Sequence, residues 1–295
     1  MIRLDLPERE YHARAEVSFH KLKDFEEYGP RAFHDWHVSR ELSRPEPGDW
    51  GTIGTAAHIL GLEGREAFES RTIQQPDTYP SEEKKGVVVD KPWHNGAKFC
   101  KEWVAEQEAA GRLVLSGVER AIAIRCGANM RAHPVAAGLL RCGFPEASVI
   151  QSPEREGTPG LRARIDWIAS DTRGMLEARA IVDVKTCEDM SDFARAALRL
   201  GYHRQAAWYR WIIQQEIGRA LPVWLVAVEK TGANRCRVWE VAADLMDRAH
   251  EQNMRTLDLI LDCYARGSWP LDLDGQARRL EVPDWMKKAD EAAPW

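Results

Sequence analysis

Three observations predict an α/β fold with a central mixed sheet flanked by helices. Apolar residues recur at helical spacing before Pro145, short alternating or β-branched runs follow it, and strands then interleave with helices. From Val17 to Trp36 the helical spacing is clear, with Ser18 placed to cap a helix starting near Phe19. Pro45 and Pro47 break the pattern. The stretch GTIGTAAHILGLEG predicts a short helix carrying His58, with glycines at its entry and exit. From Gln74 to Gly96 the chain is polar and rich in turn residues, which predicts a long surface loop or arm. Two more helices are predicted at 97–110 and 116–133. EASVIQ, LRARIDWIAS and ARAIVDVKT then predict three strands joined by tight connections. A helical stretch from about Ser191 to Ile217, hinged at Gly201, leads to strands at LPVWLVAVEK and RCRVWEVA and a last helix from about Ala243 to Ala265. With no internal repeat or linker, one domain is expected over 1–295: a mainly helical part at 1–144 and the sheet with its flanking helices at 145–295.

Composition narrows the class. A chain of 295 residues, 44% hydrophobic and 29% charged, can bury its own core as an ordinary globular protein does. No run approaches the roughly 20 apolar residues that cross a bilayer, and MIRLDLPEREYH is acidic where a signal peptide is apolar. A cytoplasmic location in a bacterial host cell is therefore expected. The six cysteines never approach a C-x-x-C spacing, which argues against a zinc ribbon, a disulfide framework or an iron–sulfur cluster. A net charge of −5 is no footprint of a general nucleic-acid binder, although a local cleft can still be basic.

Side chains alternate along a strand, so Arg162, Arg164 and Asp166 are expected on one face and Ala163, Ile165 and Trp167 on the other. The same rule sets Asp183 and Lys185 together, away from Val182 and Val184. Paired strands would then bring Asp166, Asp183 and Lys185 into a space the size of a phosphodiester. Phosphodiester hydrolysis needs that set: carboxylates hold Mg²⁺, which activates water, and a lysine orients the water and offsets developing charge. Taken alone, D-x-K is weak evidence, because alternating charges on solvated strands are common. Here, however, the two charges interrupt an otherwise apolar strand, where they need a function or a tight partner. Gln205 and Tyr209 lie four apart on one helix face, and by themselves read as surface and core residues. A lone histidine such as His58 usually reads as structural.

Taken in order over nearly the whole chain, these segments resemble the RecE (exodeoxyribonuclease VIII) nuclease domain, a RecB-like branch of the PD-(D/E)xK superfamily found in phages and prophages. The likeness rests on VSFHKLKDF, GTAAHILGLEG with His58, EASV with Glu146, RARIDWI with Asp166, IVDVKT with Asp183 and Lys185, GYHRQAAWY with Gln205 and Tyr209, and the closing LEVPDWMKKA. The resemblance implies a restriction-endonuclease-like core. Its metal, Mg²⁺ with Mn²⁺ as substitute, would be held by His58, Asp166, Asp183 and the Val184 backbone carbonyl, with Glu146 in a less secure role. Lys185 would assist the nucleophilic water, Gln205 and Tyr209 would hold substrate, and Arg162, Arg164 and Arg204 are expected at DNA phosphates. The implied activity is 5′→3′ digestion of linear double-stranded DNA to mononucleotides, leaving 3′ overhangs for a RecT-type annealing protein. A homo-oligomeric ring, with a tetramer favoured, is also implied. Open alternatives are an endonuclease or single-strand nuclease of the same superfamily, or a catalytically silent DNA-binding ring protein. The intact Asp166, Asp183 and Lys185 argue against the silent form. An unrelated α/β protein would carry no divalent metal site.

Overall fold

Residues 1–45, 51–82, 88–172, 174 and 177–271 are described by a computed structural model. The first half is mainly helical, as its periodicity predicts. It contains β1 (Ile2–Arg3), α1 (Glu8–Ala13), α2 (Phe19–Phe33), α3 (Thr52–His58), α4 (Arg65–Arg71), β2 (Thr72–Gln74), β3 (Thr78–Glu82) and β4 (Val88–Pro92). Then follow α5 (Lys98–Ala109), β5 (Leu113–Leu115), α6 (Gly117–Ala132) and α7 (Pro134–Leu139). The second half supplies β6 (Gly143–Gln151), β7 (Leu161–Ser170), β8 (Ala178–Cys187), α8 (Phe193–Arg199), α9 (Tyr202–Ile217), β9 (Val223–Glu229), β10 (Cys236–Glu240) and α10 (Ala243–Arg266).

Six strands form one mixed sheet in the order β1-β6-β7-β8-β9-β10. Neighbours are antiparallel except β8 and β9, which run parallel and are joined through α8 and α9. Helices cover both faces. Ile212 and Ile213 of α9, Leu257 and Ile260 of α10, and Leu22 and Phe25 of α2 pack with Ile165, Ile181 and Val223 on one face. Ala57 of α3, Met130 of α6 and Leu139 of α7 pack with Val182, Val184 and Val226 on the other. Trp208 is fully buried and donates its indole N–H to the Arg162 carbonyl at 3.0 Å, tying α9 to β7.

Two expectations need correction. The segment 74–96 is not a plain loop, because Thr78 to Glu82 pairs antiparallel with Val88 to Pro92 and makes a hairpin arm. A local ladder satisfies the backbone there, and alternate residues of both strands are exposed. Second, the helix from Phe19 kinks at Gly29, where φ is +84° ahead of Pro30, and ends as a π-helical turn over His34–Val38. The closing LEVPDWMKKA motif lies outside the described residues.

Glu229 ends β9 and fastens the turn into β10. Arg235 donates to both of its carboxylate oxygens at 2.7 and 2.9 Å, and the Met190 amide donates at 3.2 Å. Those bonds hold the carboxyl at about 2, below its ordinary 4.5. A carboxylate with a lowered folded pKa stabilises the fold above its unfolded pKa and loses that contribution as pH falls through the folded value. In urea titrations, Glu229→Gln should therefore be less stable than wild type at pH 6, with the difference closing as the pH approaches 2. Trp208→Ala should cost about 3–5 kcal/mol in the same measurement.

Candidate active site

The antiparallel ladder between β7 and β8 runs from Ser170↔Ala178 to Trp167↔Val182 and stops there. One residue further, that register would set Asp166 against Asp183, and like charges directly opposite are unfavourable. The strands part instead. Beyond Val182, β8 pairs only with β9, and the Val184 amide donates to Asp166 Oδ2 at 2.9 Å where a ladder bond would have stood.

On the other side of β7, Glu146 stands across from Asp166 between the pairs Pro145↔Trp167 and Ala147↔Ile165. Its φ is +52°, a conformation that costs a side chain roughly 1–3 kcal/mol. The pleat changes phase at this point. Ala163 and Ile165 face the α9 core, whereas Trp167 and Ala169 face the core under α6 and α7. This corrects the expectation that Ala163, Ile165 and Trp167 share one face. By contrast, Val182 and Val184 pack together as alternation requires.

His58, at the end of α3, completes the cluster. His58, Glu146 and Asp166 each bring one donor atom within 4.8 Å of the others. His58 Nε2 lies 2.7 Å from the Val184 carbonyl, and Nδ1 lies 3.8 Å from Asp166 Oδ2. Donation from Nε2–H to that carbonyl leaves the Nδ1 lone pair facing the carboxylate, the orientation typical of a metal-binding histidine. Val184, expected among the ligands through its carbonyl, thus holds the imidazole in this geometry.

Asp183 is 1% exposed and lies outside the three-donor group. Lys185 Nζ stands 2.6 Å from Asp183 Oδ2 as an ion pair, and Asp183 Oδ1 is buried without a hydrogen-bond partner. Burial would lower the Lys185 pKa, but Asp183 and Asp166 outweigh it and hold the ammonium above its ordinary value. Nζ also lies 4.9 Å from the centre of the Tyr202 ring. Burial, and then the charge of Asp183, push Asp166 up to about 7. These are the marks of a site that fits a cation: crowded carboxylates, a buried carboxylate oxygen without a partner and a hard O/N donor set.

Gln205 and Tyr209 are buried beside this cluster, with Gln205 Nε2 donating to the Tyr209 hydroxyl at 2.8 Å. Burial and the nearby Asp183 and Asp166 charges raise the Tyr209 phenol well above 10. Arg162 and Arg204 are not placed at a DNA surface. Arg162 is 4% exposed, donates to the Tyr11 carbonyl and lies over the Tyr11 ring. Arg204 grips Glu26 through two 2.6 Å bonds and Asn253 through a third at 3.0 Å. Both are corrected to structural cations, whose roles depend on partners distant in sequence. Arg164 is likewise engaged, with its Nε donating to Glu146 Oε2 at 2.6 Å.

Two neighbours escaped the sequence reading. Tyr11 of α1 is buried between Arg162 and Arg164, and burial pushes its phenol up to about 12 even though both arginines oppose the shift. His20, on the first turn of α2, is exposed and lies within reach of the Lys185 charge. Neither stands in a local pattern that marks it.

Residues 18–277 match the model of a family described as a PDDEXK-like domain of unknown function (DUF3799). The chain belongs to this family. Its fold is also that of a presumed exonuclease from Eubacterium rectale, at 15% identity and a TM-score of 0.59, covering 99% of this chain and 100% of that one. An alkaline exonuclease from Laribacter hongkongensis is more distant, at 13% identity and a TM-score of 0.28, over 67% of this chain and 89% of the other. No curated protein matches. Among the described residues, no helix is long and apolar enough to cross a membrane.

With the Glu26 and Asn253 bonds lost, Arg204→Ala should lower stability by about 1.5–3 kcal/mol in urea titrations.

Proposed function

We propose that this member of the PDDEXK-like family is a divalent-metal-dependent nuclease that hydrolyses DNA phosphodiester bonds. The observation that carries this reading is the parting of β7 and β8, which leaves His58, Glu146 and Asp166 converged beside the Asp183–Lys185 pair. Mg²⁺, with Mn²⁺ as substitute, is the ion this donor set favours. His58, Glu146 and Asp166 would hold it, with Asp183 completing the negative field. The bound ion supplies Lewis acidity at the phosphate and lowers the pKa of water. Lys185, kept protonated by two carboxylates, orients the attacking water and offsets the charge that builds on the phosphoryl oxygens. Gln205 and Tyr209 position the strand being cut. One catalytic unit then spans the chain, with the helical half at 1–144 bringing His58 and the half at 145–295 bringing the carboxylates.

The finer reading is a 5′→3′ exodeoxyribonuclease on linear double-stranded DNA that releases mononucleotides and leaves 3′ overhangs. Support comes from the ordered motifs shared with RecE-type domains and from the fold shared with the presumed exonuclease. A homo-oligomeric ring and delivery of the overhang to a RecT-type annealing protein belong to the same reading.

End-labelled linear duplex and a closed circle of the same sequence, each incubated with Mg²⁺ or EDTA, test it. Loss of the linear form alone, 5′ label first and only with Mg²⁺, is expected. Cutting of the circle would assign an endonuclease instead, and no cutting with any divalent ion would defeat the nuclease reading. Asp183→Asn and Lys185→Ala should each lower the cleavage rate by at least about a thousandfold, while the circular dichroism spectrum stays that of wild type.

A further inference from the structure

Arg164, on β7, is a cation bonded directly to one of the proposed ligands. Its Nε donates to Glu146 Oε2 at 2.6 Å, and one terminal nitrogen donates to the Leu6 carbonyl at 2.9 Å and reaches Ser148 Oγ at 3.4 Å. The guanidinium also lies 5.7 Å from the centre of the Tyr11 ring. Its side chain is only 17% exposed. A guanidinium directed inward on so many sides is poorly placed for a passing phosphate and well placed to fix a carboxylate.

Glu146 needs fixing. Its backbone sits at φ +52° where the pleat changes phase, so the strand alone does not set the direction of its side chain. Arg164 pins one carboxylate oxygen, Oε2, and the carboxylate still brings a donor atom within 4.8 Å of His58 and Asp166. The positive charge also offsets part of the repulsion among Glu146, Asp166 and Asp183. We propose that Arg164 is a positioning residue that holds Glu146 as a ligand to the divalent cation and so sets the affinity of the site. The segment around Leu6 and Tyr11 braces it. The inference rests on the metal-dependent reading above and adds to it a residue that does not itself touch the ion or the DNA.

Titration calorimetry of the full chain with Mn²⁺ alone, without DNA, separates the two. Glu146→Gln and Arg164→Gln should each weaken Mn²⁺ binding by roughly tenfold or more, as loss of a supporting partner does at metal sites. The double variant should bind no more weakly than Glu146→Gln within about twofold, since Arg164 acts only through Glu146. Arg164→Lys, which keeps the charge but not the fork, should fall between wild type and Arg164→Gln, and carries the test if the glutamine variant does not fold. Thermal melts check that each variant is folded. Wild-type affinity in folded Arg164→Gln or Arg164→Lys, or losses that multiply in the double variant, would overturn the positioning role while leaving the nuclease reading intact. Failure of the wild-type chain to bind Mn²⁺ would remove both.

Discussion

The site depends on one replaced hydrogen bond. Where the β7–β8 ladder ends, the Val184 amide turns from a backbone partner to Asp166 Oδ2. A buried amide left unpaired there would cost about 1–3 kcal/mol, so the carboxylate that opens the sheet also satisfies it. Because the strands part at that point, β8 can project Asp183 and Lys185 while β7 keeps Asp166 beside Glu146. His58, brought from α3, meets the same residue through its carbonyl. Val184 thus links the two strands and the helical half at one position.

Around that opening the charges are nearly balanced. Glu146, Asp166 and Asp183 face Lys185 and Arg164, with His58 between. The sheet tolerates a buried Asp183 because Lys185 stands against it, and Lys185 stays charged in a crowded setting because two carboxylates surround it. Three carboxylates stand against two cations, and burial together with that crowding raises the Asp166 pKa.

Much of this was legible in the sequence. The strands from Pro145 onward, the helix carrying His58 and the shared face of Asp183 and Lys185 follow from period-two and helical patterns, because those patterns report which side of an element is buried. Strict alternation failed in β6 and β7, where a glutamate adopts a left-handed backbone that no propensity rule assigns to it. The arginines were misread for a related reason. Arg162 and Arg204 look like surface cations in a window of ten residues, and only partners more than 100 positions away, Tyr11 and Glu26, show them to be structural. Tyr11 is hidden by the same distance, lying in a polar opening segment without periodicity. The hairpin at 78–92 lacks the apolar alternation that announces a strand, since neither of its strands buries a full face.

The distance between the parts of the site has a consequence for biogenesis. His58 lies 126 residues before its carbonyl partner, and β8 reaches its parallel neighbour β9 only after α8 and α9 have been made. A nascent chain that has emerged as far as β7 holds the histidine and two carboxylates but lacks Asp183, Lys185 and the strand that opens the sheet. Catalytic competence would then arrive late in synthesis, together with the closing of the sheet.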